Sequence, residues 1–383
     1  MKSEVTGSQP WRRAVWIVEL LIVQVFLAVA PCLSKEAGNE VRFMTADRDE
    51  VYVSTRGGTI LALSATERRL LWAFKNALFD VATSPTLDAR HVYVWMANQA
   101  SNQAALVALN RATGEQVWSR TLGPPYGKNA PTVCSDVVVA TDVVNQVTLG
   151  LGTDTGAVQW DTHDLPFLLL PPPTVEGKQL WYPAARRDDL QDRRVAVMDC
   201  SSGKLLRTLL SGAAVGAWSN LSRTIFLVEG GVVLGNEREH QRTEISLYDA
   251  TTSLKLWSYD FPILEGLGLQ PVISHRRWIG GDSHITFIDL KDGRVTFNQK
   301  LKDGLFQSRV YKDRLVFRSG SHHVIAFATD RPRLVWQKSF KSLLTSPTVL
   351  CAAGLCVASS GRRIVIMDPE NGRITGSIDL GER

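Results

Sequence analysis

The chain has 383 residues, 44% hydrophobic and only 8% aromatic, with 29 glycines and 16 prolines, which excludes a disordered or collagen-like polymer. Its 43 Lys and Arg against 38 Asp and Glu leave a net charge of +5, too small for a nucleic-acid footprint, and no reader motif organises the basic residues. Five cysteines exclude a small disulfide scaffold.

Residues 1–35 form the first element. The run from Ala14 to Leu33 (AVWIVELLIVQVFLAVAPCL) is the one long apolar stretch, and it follows Trp11, Arg12 and Arg13, as the hydrophobic core of an export signal follows its positive segment. The same run is long enough to cross a hydrocarbon layer of about 30 Å, although Glu19 and Gln24 make a spanning helix costly. A cleaved leader and a retained anchor both stand as expectations, and either puts the rest of the chain beyond a membrane, in the periplasm or another extracytoplasmic compartment. Val29-Ala30-Pro31-Cys32 resembles a bacterial lipobox, with Cys32 as the lipidation candidate; Pro31 departs from that pattern, which wants a small residue there.

From Val41 to Leu380 one unit recurs. Its second copy is the clearest: Ser84-Pro85-Thr86, the strand-like HVYVW (91–95), the apolar ALVALN (105–110), the turn Ala112-Thr113-Gly114-Glu115, then Val117-Trp118. The copies close at Trp72, Trp118, Trp160, Arg207, Trp257, Phe297, Trp336 and Gly376, roughly 43 residues apart, room for four short strands each, which is the spacing of propeller blades. Third strands such as Leu106-Val107-Ala108-Leu109 and Ile364-Val365-Ile366-Met367 are continuously apolar, as strands covered on both faces should be. The turn that follows uses Asp199, Asp249, Asp289 and Asp368, with Asn110 in the second copy, to bond its own backbone, and Gly114, Gly156, Gly203, Gly293 and Gly372 to supply positive φ. Ser253 replaces the glycine in the fifth copy, and copies one and seven are degenerate. The expectation is an all-β, eight-bladed β-propeller of four-stranded antiparallel blades, a monomeric single domain over residues 36–383, because no blade can bury its faces alone.

Two charged insertions, Arg186 to Arg194 (RRDDLQDRR) and Gly235 to Glu244, lengthen second-to-third-strand hairpins. Asp188, Asp189 and Asp192 alternate with Arg186, Arg187, Arg193 and Arg194, the pattern of a self-paired loop rather than a calcium site. Leu165 to Pro173 (LPFLLLPPP) is read as an unusually apolar connection whose leucines fill the blade interface or form a docking ridge. On the ridge reading Leu168, Leu169 and Leu170, with Arg186, Arg187, Arg193 and Arg194, are the candidate partner-contact residues. Cys134 and Cys200 are expected as unpaired core residues. Cys351 and Cys356 flank a short turn and are expected as buried thiols, with a bridge as the alternative. The seven histidines lack metal-ligand spacing, and no GxSxG elbow is present.

The copy ATGExxW at 112–118, the DxxxG turns with a closing Trp, and Ser-Pro-Thr at 84–86 and 346–348 resemble the pyrroloquinoline-quinone (PQQ) type propeller repeat, over essentially all of residues 41–380. That resemblance implies that Trp72, Trp118, Trp160, Trp257 and Trp336 pack between blades as structural residues. It also implies two functional readings. Quinoprotein dehydrogenases need PQQ, calcium, adjacent cysteines and long inserts; the chain has no adjacent cysteines and little length for inserts. The outer-membrane assembly scaffolds of the BamB type share its organisation of leader, cysteine and eight blades. The expected protein is therefore a scaffold without cofactor or catalytic residues, binding protein partners in a membrane assembly complex and held to the membrane by its N-terminal segment. A dehydrogenase, or a luminal propeller subunit of a membrane complex, stands as the alternative.

Overall fold

The third strands fix the architecture. Thr59–Ser64 is buried at every position, and Gln103–Asn110 is buried at all but its two ends. A strand covered on both faces must lie within its sheet and between two other layers. The computed structural model describes residues 41–380, except 56, 77–79, 99, 124–128, 143–144, 171, 191, 210–224, 229–230, 239–241, 262–271, 282–283, 302–304, 321–322, 341–348, 353 and 361–362. The leader with Cys32 and the second Ser-Pro-Thr lie outside these residues.

Eight antiparallel sheets follow in chain order, each built from consecutive strands. Blade 1 runs from Val41 to Lys75, blade 2 from Asp80 to Thr121, blade 3 from Thr132 to Asp161 and blade 4 from Phe167 to Leu209. Blade 5 runs from Ile225 to Phe261, blade 6 from Val272 to Lys300, blade 7 from Leu305 to Ser339 and blade 8 from Val349 to Asp379. In blades 2 and 4 the first strand is split in two. The break in blade 2 contains Pro85, which cannot donate to a ladder. The break in blade 4 leaves the Pro183 carbonyl to accept from the Leu170 amide at 2.8 Å.

Buried apolar residues form eight clusters, each shared by two successive blades. One joins Ile60 and Trp72 of blade 1 to Val92 and Val107 of blade 2. Another joins Val53 and Leu61 of blade 1 to Leu350, Ile364 and Ile378 of blade 8, so the ring closes. The closure is side-chain packing between two complete sheets. The Leu165 to Pro173 stretch, expected as a connection, contains a strand: Phe167–Leu169 pairs with Ala184 to Arg186 as the first strand of blade 4.

One irregularity recurs in all eight sheets. The register between third and fourth strands shifts just before the closing position, as at Ala62/Leu63 opposite Trp72 and at Ile366/Met367 opposite Gly376. This bulge turns the closing side chain toward the next blade. There the indole N–H of Trp72, Trp118, Trp160, Trp257 and Trp336 donates to Arg111, Thr153, Cys200, Leu290 and Pro369 O at 2.8–2.9 Å. Each accepting carbonyl lies in the turn that holds the positive-φ glycine of that next blade, and the ring lies flat on that glycine. A methyl group on Gly114, Gly156, Gly203, Gly293 or Gly372 would sit 2.4–2.8 Å from the ring. In four of the five turns an asparagine or aspartate opens the turn and holds it in place, as Asn110 Oδ1 does by accepting from the Ala112 and Thr113 amides; Gly152 opens the turn of blade 3.

Three junctions lack this lock. In blade 4 the tryptophan stands on the second strand, and the Arg207 guanidinium lies 5.4 Å from the Trp181 ring centre. Phe297 of blade 6 packs edge-on to Phe287 and against Phe327 of blade 7. At the closure the parts are exchanged: blade 8 offers bare Gly376, and Arg68 of blade 1, at the glycine position of its turn with φ of 56°, packs over it.

The cysteines correct the sequence reading. Cys134, expected unpaired, is bridged to Cys200 across blades 3 and 4, with Cα atoms 5.9 Å apart. The first-to-second-strand turn of blade 3 and the third-to-fourth-strand turn of blade 4 bring together residues 66 positions apart, a proximity that a linear reading of the repeat does not show. Cys351 and Cys356, expected as thiols, face each other as a cross-strand pair and are bridged.

Two outcomes are expected. Gly203→Ala, with a methyl group against Trp160 and an unfavourable φ, should cost about 3 kcal/mol in urea unfolding. Gly177→Ala, with the same sign of φ but open space around it, should cost about 1 kcal/mol. Cys134→Ser should lower stability by about 4 kcal/mol and Cys351→Ser by about 2 kcal/mol, because the first bridge closes a far longer loop.

Candidate interaction surfaces

Alternating strand direction divides the ring into two faces. Turns between first and second and between third and fourth strands lie on one, here the turn face; second-to-third-strand hairpins and the connections between blades lie on the other, the hairpin face.

The Arg186 to Arg194 insertion stands on the hairpin face. Arg186 makes a two-point contact with Asp188 at 2.8 and 2.5 Å, and Arg194 a similar one with Asp192 at 2.9 and 2.5 Å. Arg187 reaches into blade 3, donating to Leu165 O at 3.0 Å and Gln146 O at 2.9 Å. Burial holds the Arg193 guanidinium below its ordinary range. These arginines thus brace the hairpin, and what it offers outward is Leu190, 55% exposed at its tip. Leu169 lies in the core beside Trp160 and Tyr182, while Leu168 and Leu170 are half-buried. The structure does bring the two segments together, since Phe167 pairs with Arg186.

On the turn face a groove of about 1290 Å³ runs between blades 1 and 2. Its centre is Arg111, which the sequence reading passed over. The slot holds Thr153, Cys200, Ala250, Leu290 and Pro369 in other copies, so a charge there was the available signal. Arg111 Nε donates to Glu50 at 2.7 Å and to the Tyr52 hydroxyl at 3.0 Å, Nη1 to Asp88 O at 2.8 Å, and Nη2 contacts Asp47 at 2.7 Å. These carboxylates outweigh the desolvation that would lower the guanidinium pKa, and hold it above its ordinary range. Burial and the hydrogen bond to Glu50 push the Tyr52 hydroxyl up.

Beside it lies a second cluster. The Tyr93 hydroxyl donates to Asp88 Oδ2 at 2.6 Å, and His91 Nδ1 lies 3.3 Å from the same oxygen. His91 Nε2 is 3.9 Å from Asp154 of blade 3. Burial alone would raise the Asp88 pKa, but the Tyr93 hydroxyl and the Arg90 and His91 amides together hold it below the usual carboxylate range. Both clusters join blades and satisfy their own polar atoms.

A calcium-bound quinone needs several converging hard oxygen donors. Among the described residues no three His, Cys, Asp or Glu side chains are placed to hold a metal, and Asp188 and Asp192 are engaged by Arg186 and Arg194. The donor set present does not fit that group.

A family model described as outer membrane protein assembly factor BamB matches residues 85–214 and 241–383. The chain belongs to that family. No curated protein sequence matches it. Among solved structures, BamB from Moraxella catarrhalis superposes with a TM-score of 0.59 at 12% identity, covering 87% of this chain and 94% of that one. The computationally designed Ika8 protein gives 0.64 at 13% identity, covering 89% and 98%. The dihydro-heme d1 dehydrogenase NirN, solved with DHE, gives 0.64 at 10% identity, covering 89% and 77%. At these identities the likenesses show the fold alone, and they join a BamB protein, a design and a dehydrogenase on one fold. Within the BamB family, this chain is a PQQ-like propeller.

The Asp88 cluster sets an acid limit. Its folded pKa lies below the unfolded one, so its contribution is complete above about pH 4 and is lost as pH falls through the folded value. Tyr93→Phe removes one donor to the carboxylate. The midpoint of acid unfolding should therefore move to higher pH, as followed by tryptophan fluorescence.

Proposed function

We propose that this protein is a non-catalytic scaffold, exported to an oxidising extracytoplasmic compartment and tethered through its N-terminal segment, where it binds protein partners in the assembly of envelope β-barrel proteins. The observation that carries the reading is the BamB-family match across blades 2 to 8. Two bridges that take up four of the five cysteines support an oxidising compartment, since such bonds persist there and are rare in reducing ones. Cys32 is then the cysteine outside both bridges, consistent with its role as lipidation candidate.

A scaffold needs a rigid, preformed contact, because ordering a loose loop on binding subtracts from affinity. The braced hairpin of blade 4 supplies one. Its paired arginines hold Leu190 clear of the hairpin face, an apolar tip within a charged collar.

The test is affinity purification of the native protein from membranes, with mass spectrometry of partners and of its own N-terminus. Expected are β-barrel assembly components and a lipid on Cys32, with recovery of those components reduced by joint Arg186→Glu and Arg187→Glu substitution. Unchanged recovery in that variant removes the hairpin from the reading. Dye-linked dehydrogenase activity appearing on addition of PQQ and Ca²⁺ would overturn the scaffold itself.

A further inference from the structure

The junction of blades 4 and 5 differs from the locked ones in a way that leaves an unneutralised cation at the rim. Arg207 occupies the closing position, paired with Val197 where Trp72 pairs with Ala62. The facing turn of blade 5 has Ser253 at the glycine position, with φ of 60° and the same amide bond back to Asp249 O at 2.9 Å. Arg207 is exposed, and its guanidinium is held 5.4 Å from the Trp181 ring centre. Among the described residues no carboxylate or carbonyl accepts from it, nor from the neighbouring Lys204 ammonium, whereas Lys255 is already paired with Glu244 at 2.8 Å.

Three exposed leucines stand among the polar residues of this rim. Leu206 is the bulge residue immediately before Arg207, Leu256 is its counterpart before Trp257, and Leu254 follows Ser253 in the facing turn. Their exposures are 52%, 57% and 66%, and Leu254 is the most exposed large apolar side chain among the described residues. In the shared register of the blades, the closing residue of one blade meets the glycine-position turn of the next. That register puts Leu206 and Leu254 on either side of the junction that Arg207 fills.

The geometry points to a docking site here for a protein segment that carries a carboxylate between apolar side chains. The carboxylate meets the Arg207 fork, which the Trp181 ring orients in advance, and the apolar side chains cover the leucines. An exposed arginine with an exposed leucine beside it on its own strand and others on the facing turn and strand has the composition of an interface centre, and arginine is among the residues whose removal from such a centre costs most. The site goes beyond the scaffold reading by adding a second surface on the outer rim, away from the blade 4 hairpin.

The probe is a fluorescein-labelled eight-residue peptide alternating leucine and aspartate, with a leucine–lysine peptide as its counterpart, titrated against the full-length protein in detergent by fluorescence polarisation. The acidic peptide should bind. Arg207→Glu and, separately, Leu256→Asp should each weaken it by about tenfold or more, with Arg207→Lys falling between. Leu256 is exposed, so its variant keeps the test valid if Arg207→Glu disturbs the Trp181 stack. No binding by about 1 mM, equal binding of the lysine peptide, or unchanged affinity in both variants overturns the site. The joint Arg186 and Arg187 reversal should leave this titration unaltered, so the rim and the hairpin fail separately.

Discussion

The structure depends on one contact made five times: an indole ring lying flat on a glycine of the next blade while its N–H reaches the backbone carbonyl of the same turn. A blade has two apolar faces and no means of covering either, so the ring stands or falls on how blades meet. Hydrophobic packing alone is tolerant of sliding. The indole hydrogen bond fixes both position and angle at each locked junction, and the bare glycine lets the ring approach within contact distance of the backbone. Clusters such as that shared by blades 1 and 2 then fill the wedge between sheets.

Much of this was legible in the sequence because it is periodic. The tryptophans, the turn aspartates and glycines, and the apolar third strands each mark a position in the blade, and all eight closing positions proved equivalent, down to Arg207, Phe297 and Gly376. What the pattern concealed were the relations between blades. That Trp72 meets Gly114 rather than its own turn, and that Cys134 meets Cys200, are consequences of stacking, and stacking is absent from a linear repeat. Arg111 was missed for a related reason. It sits in an ordinary turn slot, and its importance comes from Asp47, Glu50 and Tyr52 of the preceding blade. The apolar LPFLLLPPP was misread because prolines suggested a connection, whereas Pro172 and Pro173 only interrupt a strand on either side of them.

The three junctions without the lock show how the same wedge can be closed by other chemistry. Blade 6 uses aromatic edges, and blade 4 has its tryptophan two strands further in and stacks an arginine on it. The closure of the ring inverts the arrangement, with Arg68 reaching from blade 1 over a glycine of blade 8. Each alternative replaces a hydrogen-bonded ring by a contact of different range and polarity. The surface is correspondingly varied, and at Arg207 the variation places charge where the locked junctions bury an indole.

The bulge that aims the closing residue has a further effect at the perimeter. A sheet edge with regular spacing of donors and acceptors is a template on which another chain can crystallise its own strand. Here each fourth strand is broken out of register within its first few residues, as at Gly150/Leu151 and Phe287/Ile288. Eight outward edges in one molecule would otherwise be eight invitations to polymerise. The same kink that aims each closing side chain at the next blade therefore also spoils the outer edge of its own sheet as a template.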